Sequence, residues 1–243
     1  MSEFDTCGLF GKLPMQSDFI SHFLPESFTQ YWHGWLQSCL SVSQEQLGDH
    51  WRECYLTAPI WRFAIMPGVM HEAGAVGVVI PSVDEVGRFF PLTIVHLGPH
   101  RPWNALLTGA QWFDKAEYTA LLALEDDISY STYMGYFERM AIPEFDCWPE
   151  LDQQVVVSHV NKNSAIFGLD LPQSPSHSQY LLHSLHQRLY GDYSLWWTDG
   201  SEQVSPCSLV CSGLPDSGQF SAMLDGNWQE WHWAIESVIT GNN

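Results

Sequence analysis

The sequence predicts an α+β fold, a mostly antiparallel sheet packed between helices, and three observations predict it. Two β-type apolar runs, 60–66 and 76–80, flank a turn of hairpin length, and a third run follows at 89–97. More short strand-like runs come after residue 190. Stretches with helical spacing separate the two groups, without the regular strand–helix alternation of a parallel sheet.

The elements follow in order. Residues 7–14 (CGLFGKLP) read as a short extended piece with two glycines. Pro25-Glu26-Ser27 opens a helix, with Ser27 as candidate N-cap. Phe28, Tyr31, Trp32, Trp35, Leu36 and Leu40 follow at helical spacing, Gly48 is a stop, and residues 51–56 add a short turn. Pro91 near the start of the third strand marks an edge or an entry point. Residues 103–124 and 129–140 read as helices, and 143–149 break the pattern. A strand is predicted over 155–160. A helix beginning at 174–176 shows an apolar face of Tyr180, Leu181, Leu185 and Leu189 and closes at Gly191. Strands are predicted over 193–197, 208–211 and 219–223, a turn at Asp199-Gly200, and a final helix over 228–239.

The chain of 243 residues is long enough to bury a core without metal or disulfide support. Its formal charge is −19, and charged residues make up only 15% of it. Residues 1–120 hold six basic and twelve acidic side chains, residues 121–243 three and sixteen, so the acidity leans to the C-terminal half. Such a field repels nucleic acid and anionic membrane and favours basic partners or plain solubility. No apolar run has the length of a membrane helix. Residues 1–5 are polar and acidic, unlike a secretory leader, so a cytoplasmic location with six reduced cysteines is expected.

Catalytic motifs fall short at their required positions. Gly8-Leu9-Phe10-Gly11-Lys12 lacks the earlier glycine and the Ser or Thr of a phosphate loop; Thr6 and Leu13 stand there. His71-Glu72 has no second histidine, since Ala75 occupies its place. No nucleophile elbow is present. A zinc-dependent hydrolase using His177, His183, His186, Cys207 and Cys211 is the alternative reading; a polar helix face and two small core residues account for the same pattern. Residues 81–91 (PSVDEVGRFFP) carry the most local information. Asp84 and Arg88 are four apart, so a helical turn lets them pair, and Gly87 supplies an unusual backbone angle. Arg62 lies in an apolar strand and needs a carboxylate, for which Asp18 and Asp84 are candidates.

Several segments in the same order resemble one family. They are GLFGKLPMQSDFI at 8–20, the helix with Trp32 and Trp35, APIWRFAI at 58–65, PSVDEVGRFFPLT at 81–93, SLWWT at 194–198, and GLP at 213–215 with Phe220. Together they resemble the TagF family of type VI secretion-associated regulators. The resemblance is strongest over 8–93 and weak over 100–190. It implies a cytoplasmic, post-translational regulator, usually a repressor, of the type VI secretion machine. It implies one TagF-like body over 1–243, with 150–243 packed on it and a longin-like α/β/α sandwich. It also implies an FHA-domain scaffold protein as partner and a serine/threonine phosphatase as a separate one, with no catalytic residue and no cofactor. Gly8, Gly11, Asp18, Trp61, Arg62, Asp84, Gly87, Arg88 and Pro91 match its motif positions, which fits fold-holding or a binding surface. A third expectation is an adaptor that assembles with itself through exposed tryptophans.

Overall fold

The computed structural model describes residues 6–145 and 176–235. Its strands are β1 (Gly8–Gly11), β2 (Ile20–His22), β3 (Trp61–Ile65), β4 (Gly74–Ile80), β5 (Leu92–Gly98), β6 (Tyr193–Thr198) and β7 (Cys207–Ser212). They form one sheet in the order β2-β1-β5-β4-β3-β6-β7, and every neighbouring pair is antiparallel. β4 and β5 are buried along their whole length, as expected for strands covered on both faces. The predicted α+β class is what the chain adopts, and the late strands join the same sheet as the early ones through β3 and β6.

One face of the sheet is covered by α1 (Glu26–Leu47), α2 (Trp51–Leu56) and the short α7 (Ala222–Asp225). Alternate residues of β3 feed that layer: Trp61, Phe63 and Ile65 meet Phe28, Trp32, Leu36 and Trp196. Trp32 is fully buried, donates its indole N–H to Thr93 Oγ1 at 3.0 Å, and lies 5.0 Å from the Phe63 ring. The opposite face is covered by α3 (Pro102–Thr108), α4 (Ala110–Leu122), α5 (Tyr130–Phe137) and α6 (Ser176–Tyr190). Here Ala64, Val76, Val78 and Ile94 pack against Trp112, Phe113 and Ala116. Each large side chain buried in these layers contributes about 2–3 kcal/mol.

Several elements differ from expectation. The helix expected over 103–124 is two helices, because Gly109 packs so tightly that a Cβ there would lie 2.4 Å from Ala105 O. Pro25, not Ser27, holds the N-cap position of α1, and no side chain caps it. Pro91 is a strand entry and not an edge marker, since β5 lies between β1 and β4. The short β2 carries no period strong enough to announce itself. Residues 219–221 are a turn and 222–223 already belong to α7, where a strand was expected; Gly218 N–H donates to Asp216 Oδ1 at 2.8 Å just before the turn. Residues 228–232 form turns and 233–235 are irregular where a helix over 228–239 was expected, and 236–239 lie outside the described residues: Trp231 Nε1 donates to Asp225 Oδ2 and Trp233 Nε1 to Gln219 O, both at 2.9 Å. Among the described side chains of α6 the buried ones are Gln179 and His183, whereas Leu185 and Leu189 are 41% and 72% exposed. The cause is the His183–Tyr193 hydroxyl contact at 2.9 Å, which turns the polar face inward. The strand expected over 155–160, Cys147 and the side chains of His177 and Tyr180 lie outside the described residues.

Candidate functional site

Antiparallel pairing brings most of the singled-out residues to one end of the sheet. β1 and β4 finish there and β3 and β5 begin there, so Gly11, Trp61, Arg62 and Pro91 share that end with the 81–91 loop. Gly11 takes φ +128°, and a Cβ on it would stand 2.0 Å from Pro91 O, so no other residue lets β1 pass the entry of β5. Gly8, farther back on β1, makes room for the Leu24 side chain.

The centre of this end is Asp84, whose side chain is fully buried. Its Oδ1 accepts from the backbone N–H of Val86 at 3.1 Å and of Arg88 at 2.8 Å. Its Oδ2 accepts from Arg88 Nε at 2.7 Å and from the Lys12 ammonium. Burial pushes the Asp84 carboxyl up, but the Lys12 ammonium and the Arg88 backbone and guanidinium outweigh it and hold it well below the usual carboxylate range. Asp84 and Arg88 do pair, though not across the helical turn the spacing suggested: a Val83–Phe89 bridge closes the loop and Gly87 turns it at φ +86°. Arg88 also donates to Ser17 O, which ties the loop to the segment before β2. Tyr55 locks the base of the loop, donating to Ser82 O at 2.9 Å and accepting from Ser82 N–H at 3.0 Å.

Lys12, absent from the family-motif set, is therefore the cation that completes this site. It was legible as a lone charge inside an apolar strand piece. Its ammonium also lies 4.9 Å from the centre of the Phe19 ring, which is 43% exposed. Val86 at the loop tip is 64% exposed, and Asp18, Glu85, Gly87 and Arg88 are exposed around it.

Arg62 has other partners than those expected. It stands on the α4 side of β3, donates through Nε to Glu117 Oε1 at 2.5 Å and through Nη2 to Asp199 Oδ2 at 2.8 Å, and meets neither Asp18 nor Asp84. Trp61 faces the other layer and donates to Met223 O at 3.1 Å, which pins the C-terminal segment. Arg62→Ala is expected to destabilise the fold by about 1.5–3 kcal/mol, because it unpairs a half-buried Glu117. Arg88→Ala is expected to cost at most about 1 kcal/mol, since its own side chain is 59% exposed and Lys12 remains on Asp84. Chemical denaturation of both variants checks this; equal midpoints contradict it.

The described members of the zinc set, His183, His186, Cys207 and Cys211, do not assemble. Among the described residues no group of three or more His, Cys, Asp or Glu is placed to hold a metal ion. His183 Nδ1 is engaged by Tyr193 and His186 Nδ1 by Leu182 O at 2.8 Å. Burial pushes the Cys207 thiol up to about 11 and Cys211 to about 12, so neither offers a thiolate near neutral pH. Two clefts, of about 510 and 480 Å³, include none of the nine motif residues. The tryptophan seam also fails: no described tryptophan is among the exposed large side chains. Among the described residues no helix is long and apolar enough to cross a membrane.

The profile of the TagF N-terminal domain, described as type VI secretion system-associated, matches residues 8–140, more than half of the chain. The chain belongs to the TagF family. The chain is also similar to a solved structure, PA0076 from Pseudomonas aeruginosa PAO1, determined at 2.05 Å resolution. It is 30% identical, superposes with a TM-score of 0.78, and the match covers 98% of this chain and 100% of that one. No protein of curated function matches. The family's profile contains the whole Lys12–Asp84–Arg88 site, Trp61 and Arg62; the two strands that complete the sheet, β6 and β7, lie beyond it.

Proposed function

We propose that this protein is a non-enzymatic, cytoplasmic regulator of type VI secretion, a repressor that acts after translation by binding an FHA-domain scaffold protein of that machine. The observation that carries the reading is the TagF match over residues 8–140. The site chemistry supports it: the ionic cluster is spent on holding a loop, with its carboxylate saturated by four donors, so what it offers outward is a shaped surface. We place the partner contact on the exposed tip, Asp18, Phe19, Val86 and Arg88, with Gly8, Gly11, Trp61, Arg62, Asp84 and Pro91 holding the fold beneath it. A separate serine/threonine phosphatase acts in the same pathway.

Pull-down from lysate of the source organism tests this. Recovery of the FHA-domain scaffold by the folded wild type is expected, with at least a tenfold loss for Val86→Asp and no change in its melting temperature. Failure of the folded wild type to recover any secretion component sinks the proposal. Equal capture by the variant moves the contact away from the loop.

A further inference from the structure

The two edges of the sheet are unlike. β2 is three residues long and bracketed by Pro14 and Pro25, which blunts it. β7 is six residues long, and among the described residues no strand pairs with its outer side. Residues 203–215, which contain it, hold no charged side chain, although the chain carries −19. Long, uncharged, proline-free strand edges are what proteins ordinarily avoid exposing.

The backbone pattern says which groups face outward. Gly213 N–H donates to Asp192 O at 2.8 Å, so these two residues form a hydrogen-bonded pair. Antiparallel ladders alternate, and the register makes Ser194–Cys211, Trp196–Leu209 and Thr198–Cys207 the further bonded pairs. The bond from Met66 N–H to Tyr193 O on the other side of β6 has the matching parity. The N–H and C=O of Ser208, Val210 and Ser212 therefore point away from the sheet.

We propose that these groups pair with β7 of a second copy of this chain, antiparallel across a two-fold axis at Val210, joining two sheets into one. In that register Val210 bonds to Val210 of the second copy, and Ser208 bonds to its Ser212 and the reverse, so every outward group is satisfied. Charge selects this occupant. Two copies of an acidic chain repel where their carboxylates face each other, and 203–215 brings none of its own to the contact. A basic foreign segment, which the field would attract, finds no carboxylate on this strand. The neighbouring α6 has its Leu185 and Leu189 exposed, a further apolar surface at the same end of the sheet.

Light scattering on the full chain in reducing buffer, across concentration and ionic strength, tests the proposal. The expected mass is twice 27.7 kDa, with the dimer share rising at high salt as the repulsion between copies is screened. Val210→Pro removes one outward N–H without touching a bond to β6, and is expected to give a folded monomer. Amide exchange at Ser208 and Ser212 is expected to be at least tenfold faster in that variant than in the wild type. Should Val210→Pro fail to fold, Ser208→Lys with Ser212→Lys, which sets lysines opposite each other, is expected to give the monomer. A wild-type monomer under all conditions overturns the proposal, as does a dimer lost in reductant or one that survives in a folded variant.

Discussion

Replacing Asp84 with asparagine is expected to remove about 3–5 kcal/mol of stability, the cost of leaving a buried charge without its counter-charge. The amide keeps the shape and can still accept from the Val86 and Arg88 N–H groups. Its NH₂ end, however, then faces the Lys12 ammonium and Arg88 Nε, two donors against a donor. Lys12, just past the end of β1, is only 5% exposed at the side chain, so its ammonium has little access to water. Lys12→Met in the Asp84→Asn background is therefore expected to recover part of the loss. Urea denaturation of the two single variants and the double variant measures the coupling. A single-variant loss under about 1 kcal/mol shows that Arg88 and solvent suffice, and that Lys12 is not the principal partner.

Acid is expected to weaken the fold in two stages. His183 is pushed down to about 4, first by burial and then by the charges of Arg101 and His186; His100 is pushed down to about 3, by burial and then by His96. The unfolded chain takes up these protons near pH 6.5, before the folded chain does, so stability falls as pH drops from about 6.5 toward 4. For His183 alone the displacement corresponds to a loss on the order of 3 kcal/mol. Asp84 acts below that window: its stabilisation is present above the ordinary carboxylate value near 4 and is lost on further acidification. Denaturation midpoints at pH 7 and pH 4.5 are expected to differ strongly for the wild type and by roughly half as much for His183→Gln, where His100 still acts. An equal difference in both removes His183 from the first stage.

Much of this was legible in the sequence where a long uninterrupted period carries the information. The Phe28–Trp32–Leu36–Leu40 stripe specified α1, and the apolar runs around 61–65, 74–80 and 92–98 specified the central strands. Reading failed where a remote group decides the conformation. Leu185 and Leu189 look like a core stripe, but the Tyr193 hydroxyl makes His183 the buried residue instead. Trp231 and Trp233 look helical, but their indole N–H groups are committed to Asp225 Oδ2 at the end of α7 and to Gln219 O. At the site, the Asp84–Arg88 pair followed from spacing. Lys12 as its partner is 72 residues away in sequence, and Glu117 and Asp199 reach Arg62 from 55 and 137 residues away. Long-range ion pairs leave no local period to read.

The pairing of β3 with β6 bears on how the chain matures. Arg62 and its neighbours meet Trp197 and its neighbours about 130 residues later, and Trp35, Gln46 and Trp61 all bond to carbonyls between Pro215 and Met223. As the polypeptide leaves the ribosome, α1 and the first five strands emerge with one side of β3 unpaired and the aromatic layer uncovered. That layer closes only when residues beyond 220 arrive. Contacts of such long sequence separation slow folding and prolong the exposure of sticky intermediates. The half of the chain that defines the family thus depends, for its own completion, on the half synthesised last.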